Sequence, residues 1–437
     1  MTGGTTTLRQ SPAQERLWFR HALDPGDLGY HVLGAYELRG ALDVGALRRA
    51  VRGVVARHPA LRARFPADED PVQVIESDSR VILEEFTASS DLREHILAWL
   101  GKPFDLEAGP LMRIGLWRLG PEDHILALCL HHIVCDHFSW LAILDELGEF
   151  YADADTRIGA DERLLEYRQH IWAECQAAEE IGGPPQAELA GQLMPLHLPP
   201  PHPGESPEGH GHLDADLPPG AVRMAESAAR ANGISPIGFH LGLTAGLAAF
   251  LCDTNDVVLT SPLTLRRPES SRSLVGCFVN LALLRLAVDL DEPVVALTIR
   301  ARNALVDAIG DRMRPYQAVV AQLRAARQIS GADLPFGLSY NYVADAERPP
   351  EFAGLTATAY PCPQLGLRNP FAVTVVADSL HTRIRLGWKR SLMSSRAAGA
   401  FAETYQQALV RLSTPPRQSL REVLTGLPLT RLAYPTR

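Results

Sequence analysis

The sequence lacks an excess of positive charge. Its 42 Lys and Arg face 51 Asp and Glu, for a formal charge of −9. It has no basic tail and no basic run, so binding to a polyanion such as a nucleic acid has no electrostatic footprint. Long apolar runs are also missing. The longest stretches, such as 234–252, are broken by Gly, Pro, Ser, Thr and His, and none reads as a membrane span. The start, Met1-Thr-Gly-Gly-Thr-Thr-Thr, has neither a charged leader nor an apolar core, which argues against a signal peptide. Cysteine is sparse: Cys129, Cys135, Cys175, Cys252, Cys277 and Cys362 are scattered, with no CxxC pair. They read as reduced, buried thiols of a cytoplasmic protein. The 46% hydrophobic and 21% charged residues fit a globular chain and exclude disorder over most of it.

What is present fits an α/β chain of two lobes. At 437 residues it is long enough for about two or three domains. Residues 181–220 are dense in proline and glycine, including Leu198-Pro-Pro-Pro-His-Pro-Gly and Glu208-Gly-His-Gly-His212. Such density stops helices and central strands, so this stretch reads as a linker between lobes at 1–180 and 221–437. In the first half, 42–58 has apolar residues at helical spacing, with Arg48, Arg49, Arg52 and Arg57 between them. Those arginines read as a solvated face, with docking of an acidic partner as the other reading. Residues 125–130 form an unbroken apolar run expected of a strand covered on both faces. Phe138, Leu141, Leu144, Leu147 and Tyr151 then mark an amphipathic helix. In the second half, 220–231, 236–250 and 397–412 read as helices. Residues 257–260, 279–288, 369–377 and 381–388 read as strands, the last two paired.

Between the buried strand and its helix lies His131-His132-Ile133-Val134-Cys135-Asp136-His137. A loop at the end of a buried strand is a rigid mount for reactive groups. A neutral imidazole accepts a proton near pH 7 and suits general base catalysis. Three readings stand: a polar strand end with satisfied histidines, a metal site, or a histidine for acyl transfer. The metal reading lacks a standard zinc spacing.

This loop resembles the HHxxxDG motif of nonribosomal peptide synthetase condensation domains. Other stretches resemble that family in the same order. Ser11-Pro-Ala-Gln-Glu-Arg-Leu-Trp18 is similar to S-x-A-Q-x-R-L-W. Arg57-His-Pro-Ala-Leu-Arg-Ala-Arg-Phe65 is similar to R-H-x-x-L-R-T-x-F. Ser261-Pro-Leu-Thr-Leu-Arg266 is similar to T-P-V-A-x-R, and Val275-Gly-Cys-Phe-Val-Asn280 to I-G-x-F-V-N. Gly426-Leu-Pro-Leu-Thr430 is similar to the closing stretch. The resemblance implies two chloramphenicol acetyltransferase-like lobes in a V-shaped pseudo-dimer with a tunnel between them. It implies a donor and an acceptor carried by peptidyl or acyl carrier proteins through phosphopantetheine arms, with no permanently bound cofactor and no metal. A small amine or alcohol could replace the carrier-bound acceptor. No adenylation or carrier segment follows residue 437, which leaves a free-standing enzyme, favoured by the start, or an excised domain.

Matched residue by residue, the resemblance implies that His132 is catalytic and His131 structural. It implies that Asp136 pairs with Arg266, and that Ser11 and Asn280 lie near the tunnel. The motif's glycine is His137 here. Glycine permits positive φ and close ligand approach, so His137 is expected to narrow the tunnel, add a polar group or block chemistry. Residues 136–140 and 339–342, and the echo of E-G-H-G-R-E at 208–212, have some similarity to epimerization domains. That echo lies in the stretch read as linker, and a solvated loop accounts for it. The expected activity is condensation-type acyl transfer to an amine or hydroxyl. The alternatives are a coenzyme A-dependent acyltransferase and an inactive recruiting domain.

Overall fold

The apolar run at 125–130 becomes the middle of a sheet, and each of its six residues is at most 1% exposed. The computed structural model describes residues 5–431, apart from 79, 89, 154, 182–192, 194–195, 202–204, 267–272, 327–336, 345–347, 379–380 and 413–417. The chain forms two units. The first comprises Met1–Ile181, Thr264–Val279 and Glu347–Gly366, and the second comprises Gly182–Leu263, Asn280–Ala346 and Leu367–Arg437. The chain therefore returns twice to the first unit after leaving it.

The first unit runs β1 (Thr6–Arg9), α1 (Pro12–Leu23), β2 (His31–Arg39), α2 (Val44–Arg57), β3 (Ala63–Arg64), β4 (Val72–Ile75), β5 (Leu83–Thr87), α3 (Leu92–Leu100), β6 (Met112–Arg118), β7 (Asp123–His131), α4 (His137–Ala152) and α5 (Ala160–Glu180). The second contributes β8 (His210–Asp216), α6 (Pro219–Arg230), α7 (Pro236–Leu251), β9 (Asp256–Thr264), β10 (Val279–Ala287), α8 (Val294–Gly310), α9 (Tyr316–Ala325) and β11 (Leu338–Ala344). After β12 (Thr356–Tyr360), which belongs to the first unit, come β13 (Phe371–Ala377), β14 (Thr382–Lys389), α10 (Ser395–Leu412) and α11 (Leu420–Leu424). None of the described helices is long and apolar enough to cross a membrane.

In the first unit a sheet of order β12-β2-β7-β6-β5 puts β7 at its centre, and β1, β4 and β3 form a smaller sheet. The returning strand β12 pairs antiparallel with β2, matching Thr356 to Arg39. In the second unit the order is β10-β9-β11-β13-β14-β8. There β11 lies parallel to β9 and β13, while β13 and β14 are antiparallel. Helix α7 is buried on nearly every side, which explains its apolar composition. Strand β8 is a departure from the sequence reading. Residues 210–216, expected in the linker, pair antiparallel with β14, from Asp216–Arg383 to His210–Lys389. The echo at 208–212 thus enters a strand rather than a solvated loop. Alternating His, Leu and Ala suffice for an edge strand once the preceding prolines end. Much of the remaining stretch read as linker lies outside the described residues.

Helix α2 lies along α4, and the Arg57-His58 pair locks them together. His58 is fully buried at the C-cap of α2, its Nε2 2.7 Å from Glu146 Oε2. Arg57 reaches Glu146 Oε1 at 3.2 Å and lies over the Phe150 ring at 4.4 Å. Arg48 and Arg49 meet Glu85 and Asp43, so these arginines have carboxylates of the same unit as partners. Burial pushes the His58 imidazole below its ordinary value despite Glu146. Burial also pushes His31 down, to about 4.

Two outcomes follow from this packing. A Cβ at Gly148 would sit 2.2 Å from the Glu351 carbonyl oxygen, whereas at Gly399 in α10 it would meet nothing within 4 Å. Gly148→Ala should therefore cost about 1–3 kcal/mol, and Gly399→Ala should add about 0.5–1 kcal/mol, both read by urea denaturation. The histidines set a pH dependence. Both stay neutral in the fold while the unfolded chain protonates them below about pH 6.5. Stability is then complete above pH 6.5 and falls as pH drops from there towards 4. Denaturation midpoints from pH 8 to 4 check this, and His58→Gln should flatten the slope. An unchanged slope would remove His58 as a contributor.

Candidate active site

Strand β7 ends at His131, a single helical turn spans His132–Val134, and α4 begins at His137 with Asp136 as its N-cap. The loop is short because β7 is buried up to His131 and α4 starts at once. Asp136 Oδ1 accepts from Ser139 N at 2.8 Å, the capping bond expected of an aspartate three residues before its partner.

Asp136 is 1% exposed and Arg266, from the first returning segment, is 8% exposed. Arg266 donates from Nη2 to Asp136 Oδ1 at 2.6 Å and from Nε to Oδ2 at 3.1 Å. The structure thus brings together the two residues matched as a pair. Oδ2 also accepts from Phe278 N at 3.2 Å, and Asp136 N donates to Gly276 O at 3.1 Å. Ser139 Oγ lies 2.8 Å from both Asp136 Oδ1 and Gly276 O, and accepts from Arg266 Nη2 at 2.7 Å and Gly276 N at 3.0 Å. Arg266 further donates to Leu274 O at 2.7 Å. This network joins the loop and the start of α4 to Arg266, Leu274, Gly276 and Phe278.

The donors that could suggest a metal are committed inward. The Asp136 oxygens hold Arg266, Ser139 and Phe278. His131 Nδ1 accepts from Ile133 N at 3.1 Å, and its ring lies among His21, Tyr30 and Phe104. Cys135 is buried, its thiol 3.3 Å from Asp136 O. Of His131, His132, Cys135 and Asp136, only His132 is not classed with the buried residues. Its Nδ1 lies 3.8 Å from Cys277 Sγ. Burial pushes that thiol up to about 12, so the sulfur beside the imidazole stays neutral.

His137 occupies the first position of α4. Among the described residues the non-glycine residue with positive φ is Asp253, not His137. The positive φ expected of the motif glycine is therefore not used here, and a helix start accepts histidine without backbone strain. Its ring packs edge-on against Phe138, and its buried Nε2 has no hydrogen-bond partner among the described residues.

Ser11 and Asn280 have architectural partners. Ser11 is fully buried and caps α1, accepting from Gln14 N at 3.3 Å while Gln14 Oε1 accepts from Ser11 N at 2.9 Å. Asn280 belongs to the second unit. Its amide donates to Arg312 O and Arg314 O and accepts from Tyr316 N, fixing the turn between α8 and α9. Sequence reasoning missed Cys277, Phe278 and the bonding role of Ser139. Only the D-x-x-S capping spacing could have flagged one of them.

A family model described as a condensation domain matches residues 5–428. The chain belongs to the condensation domain family. Phosphinothricin tripeptide synthetase PhsB of Streptomyces viridochromogenes is 30% identical over 342 residues, covering 74% of this chain and 29% of that protein. The chain spans less than a third of the length of the curated relatives it matches. The condensation domain from Monacolin K polyketide synthase MokA matches with a TM-score of 0.76 at 16% identity, over 95% of this chain and 99% of that one. The X-domain complexed with OxyB from teicoplanin biosynthesis matches with a TM-score of 0.76 at 20% identity, over 95% of each. The fold is thus the α/β, chloramphenicol acetyltransferase-like fold of condensation domains.

Breaking the buried pair from one side leaves an uncompensated charge. Asp136→Ala and Arg266→Ala should each lose about 3–5 kcal/mol. The double variant should lose less than their sum, as measured by denaturation of all three proteins. Additive losses would show that the two side chains do not act as a pair.

Proposed function

We propose that the chain is a condensation-type acyltransferase of nonribosomal peptide or related natural-product assembly. The donor is an acyl or aminoacyl thioester on the phosphopantetheine arm of a carrier protein. The acceptor is an amine or hydroxyl, itself carrier-bound or small. One observation supports this above the others: the network around Asp136 and Arg266 fixes a loop on which His132 remains less buried than its neighbours.

In this reading the acceptor nitrogen or oxygen attacks the thioester carbonyl carbon. A C–N or C–O bond forms, the C–S bond breaks, and the acyl group leaves its arm. The acceptor loses one proton and the departing sulfur gains one. His132 positions the acceptor and carries that proton. An amine near neutral pKa needs less of this help than an alcohol. His131, Asp136 and Arg266 hold the loop and take no part in the chemistry. His137 adds bulk and a second imidazole beside it.

A second reading rests on His137. An imidazole at the motif's glycine position, with its Nε2 buried, fits a domain that recruits partners without turnover.

The test offers acyl-loaded carrier proteins, and the matching coenzyme A thioesters, with amine and alcohol acceptors. Wild type, His132→Ala and His137→Gly run in parallel, with products read by intact mass. Wild type should turn over carrier-bound donors, and His132→Ala should lose about 10²–10⁴-fold. Saturable turnover of the coenzyme A donor would favour the soluble-thioester reading. Activity gained only in His137→Gly, or silence in all three with intact carrier binding, would favour recruitment.

A further inference from the structure

Three polar atoms of one buried contact stand out behind the candidate site. His170 Nε2 and both carboxyl oxygens of Glu174 lack a well-formed hydrogen bond. The two residues sit one turn apart on α5. Nε2 approaches Oε1 to 2.9 Å, but off the hydrogen-bonding direction. Their side chains are 8% and 3% exposed. Buried groups left in this state are uncommon and costly, so their retention needs a reason.

Their surroundings supply one. The His170 ring packs on the Phe278 ring with centroids 4.2 Å apart. The Arg266 guanidinium lies 4.7 Å from the centroid of that same ring. The Phe278 backbone is held at both ends, its N–H on Asp136 Oδ2 and its carbonyl accepting from Leu265 N at 2.8 Å. The residue before it is Cys277, whose sulfur bears on His132 Nδ1 at 3.8 Å. A continuous packed path therefore runs from Glu174 through His170, Phe278 and Cys277 to His132.

We propose that Glu174 and His170 are positioning residues for His132, acting through Phe278 and Cys277. The proposal rests on the acyl-transfer reading above for its kinetic consequence, though not for its structural one. Neither residue touches a reacting atom. Burial is the main influence on the Glu174 carboxyl and pushes it up. His170 and Ser11 draw it part of the way back, and the Asp136 charge opposes ionisation. Charge on Glu174 is opposed by burial and by the Asp136 carboxylate, and Arg266 is already bonded to Asp136. Glutamine has the same shape and no charge, so it should replace Glu174, whereas alanine removes the support under His170.

The experiment compares Glu174→Gln, Glu174→Ala, His170→Ala and Phe278→Leu with wild type. One readout is kcat and KM with a carrier-bound donor. The other is the ring resonances of His132 in the resting, ¹⁵N-histidine-labelled protein, assigned with His132→Ala. Glu174→Ala and His170→Ala should lower kcat by about 10–100-fold with KM within about twofold. Glu174→Gln should return kcat to within about threefold of wild type. The His132 resonances should move in the alanine variants and in Phe278→Leu, and stay in place in Glu174→Gln. Unmoved resonances in folded Glu174→Ala would overturn the proposal, as would a lowered melting temperature with unchanged kcat. Equal loss in the Gln and Ala variants would also overturn it. If wild type shows no turnover, the acyl-transfer reading fails and the resonances still decide this one. If the alanine variants do not fold, Phe278→Leu and Glu174→Gln carry the same decision.

Discussion

A buried charge pair holds the loop between β7 and α4 in place. Asp136 and Arg266 are 1% and 8% exposed and meet through two hydrogen bonds. Such a pair gains little net stability over apolar residues of the same volume, because two ions must first leave water. Its effect here is geometric. Further hydrogen bonds tie the pair to Ser139, Leu274 and Phe278, and Ser139 in turn to Gly276. Together these bonds join the loop, the helix start and the returning segment. The loop therefore has few alternative conformations, and the position of His132 follows from the position of its neighbours.

That division of labour explains the motif. Four residues of types that carry chemistry or bind metal lie within six positions, His131, His132, Cys135 and Asp136. The structure gives three of them internal duties. His131 holds its own turn, Cys135 faces the backbone, and Asp136 caps α4 while it binds Arg266. Rigid support by hydrogen-bonded neighbours is what the role proposed for His132 requires, since small displacements are costly to catalysis. The Arg57-His58 stretch does a similar job at longer range. Through Glu146 it fixes α4, whose first turn is the far wall of the loop.

The legible parts were those governed by local periodicity. The run at 125–130 and the spacing from Phe138 to Tyr151 gave β7 and α4 within one or two residues, because one is covered on both faces and the other on one. The paired strands near 369–388 were legible for the same reason. Strand β8 was not, because an edge strand is specified by its partner β14 rather than by its own composition. The returns at 264–279 and 347–366 were hidden too, since no local signal marks which sheet or helix a distant segment will meet. In the site, Asp136 and Arg266 could be paired only by family resemblance, 130 residues apart. The hydrogen bonds by which Ser11 caps α1 and Asn280 holds the turn after α8 were not legible on the same basis. Matching a motif shows that a residue is constrained, not whether a substrate or the fold constrains it.

His137 shows the limit of reading a motif by its letters. A glycine is usually explained by backbone freedom, and replacing it suggests strain. Here the position is the first residue of a helix, with Asp136 already supplying the cap, and any L-residue fits its φ. The substitution therefore costs the backbone nothing, and its consequence lies in the space the side chain fills. An imidazole there brings a donor and an acceptor where hydrogen stood before. Its Nε2 is buried without a partner among the described residues, a state that a polar group leaves when a suitable ligand arrives. Volume and hydrogen bonding, rather than loop strain, are thus the terms on which this site differs from the family pattern.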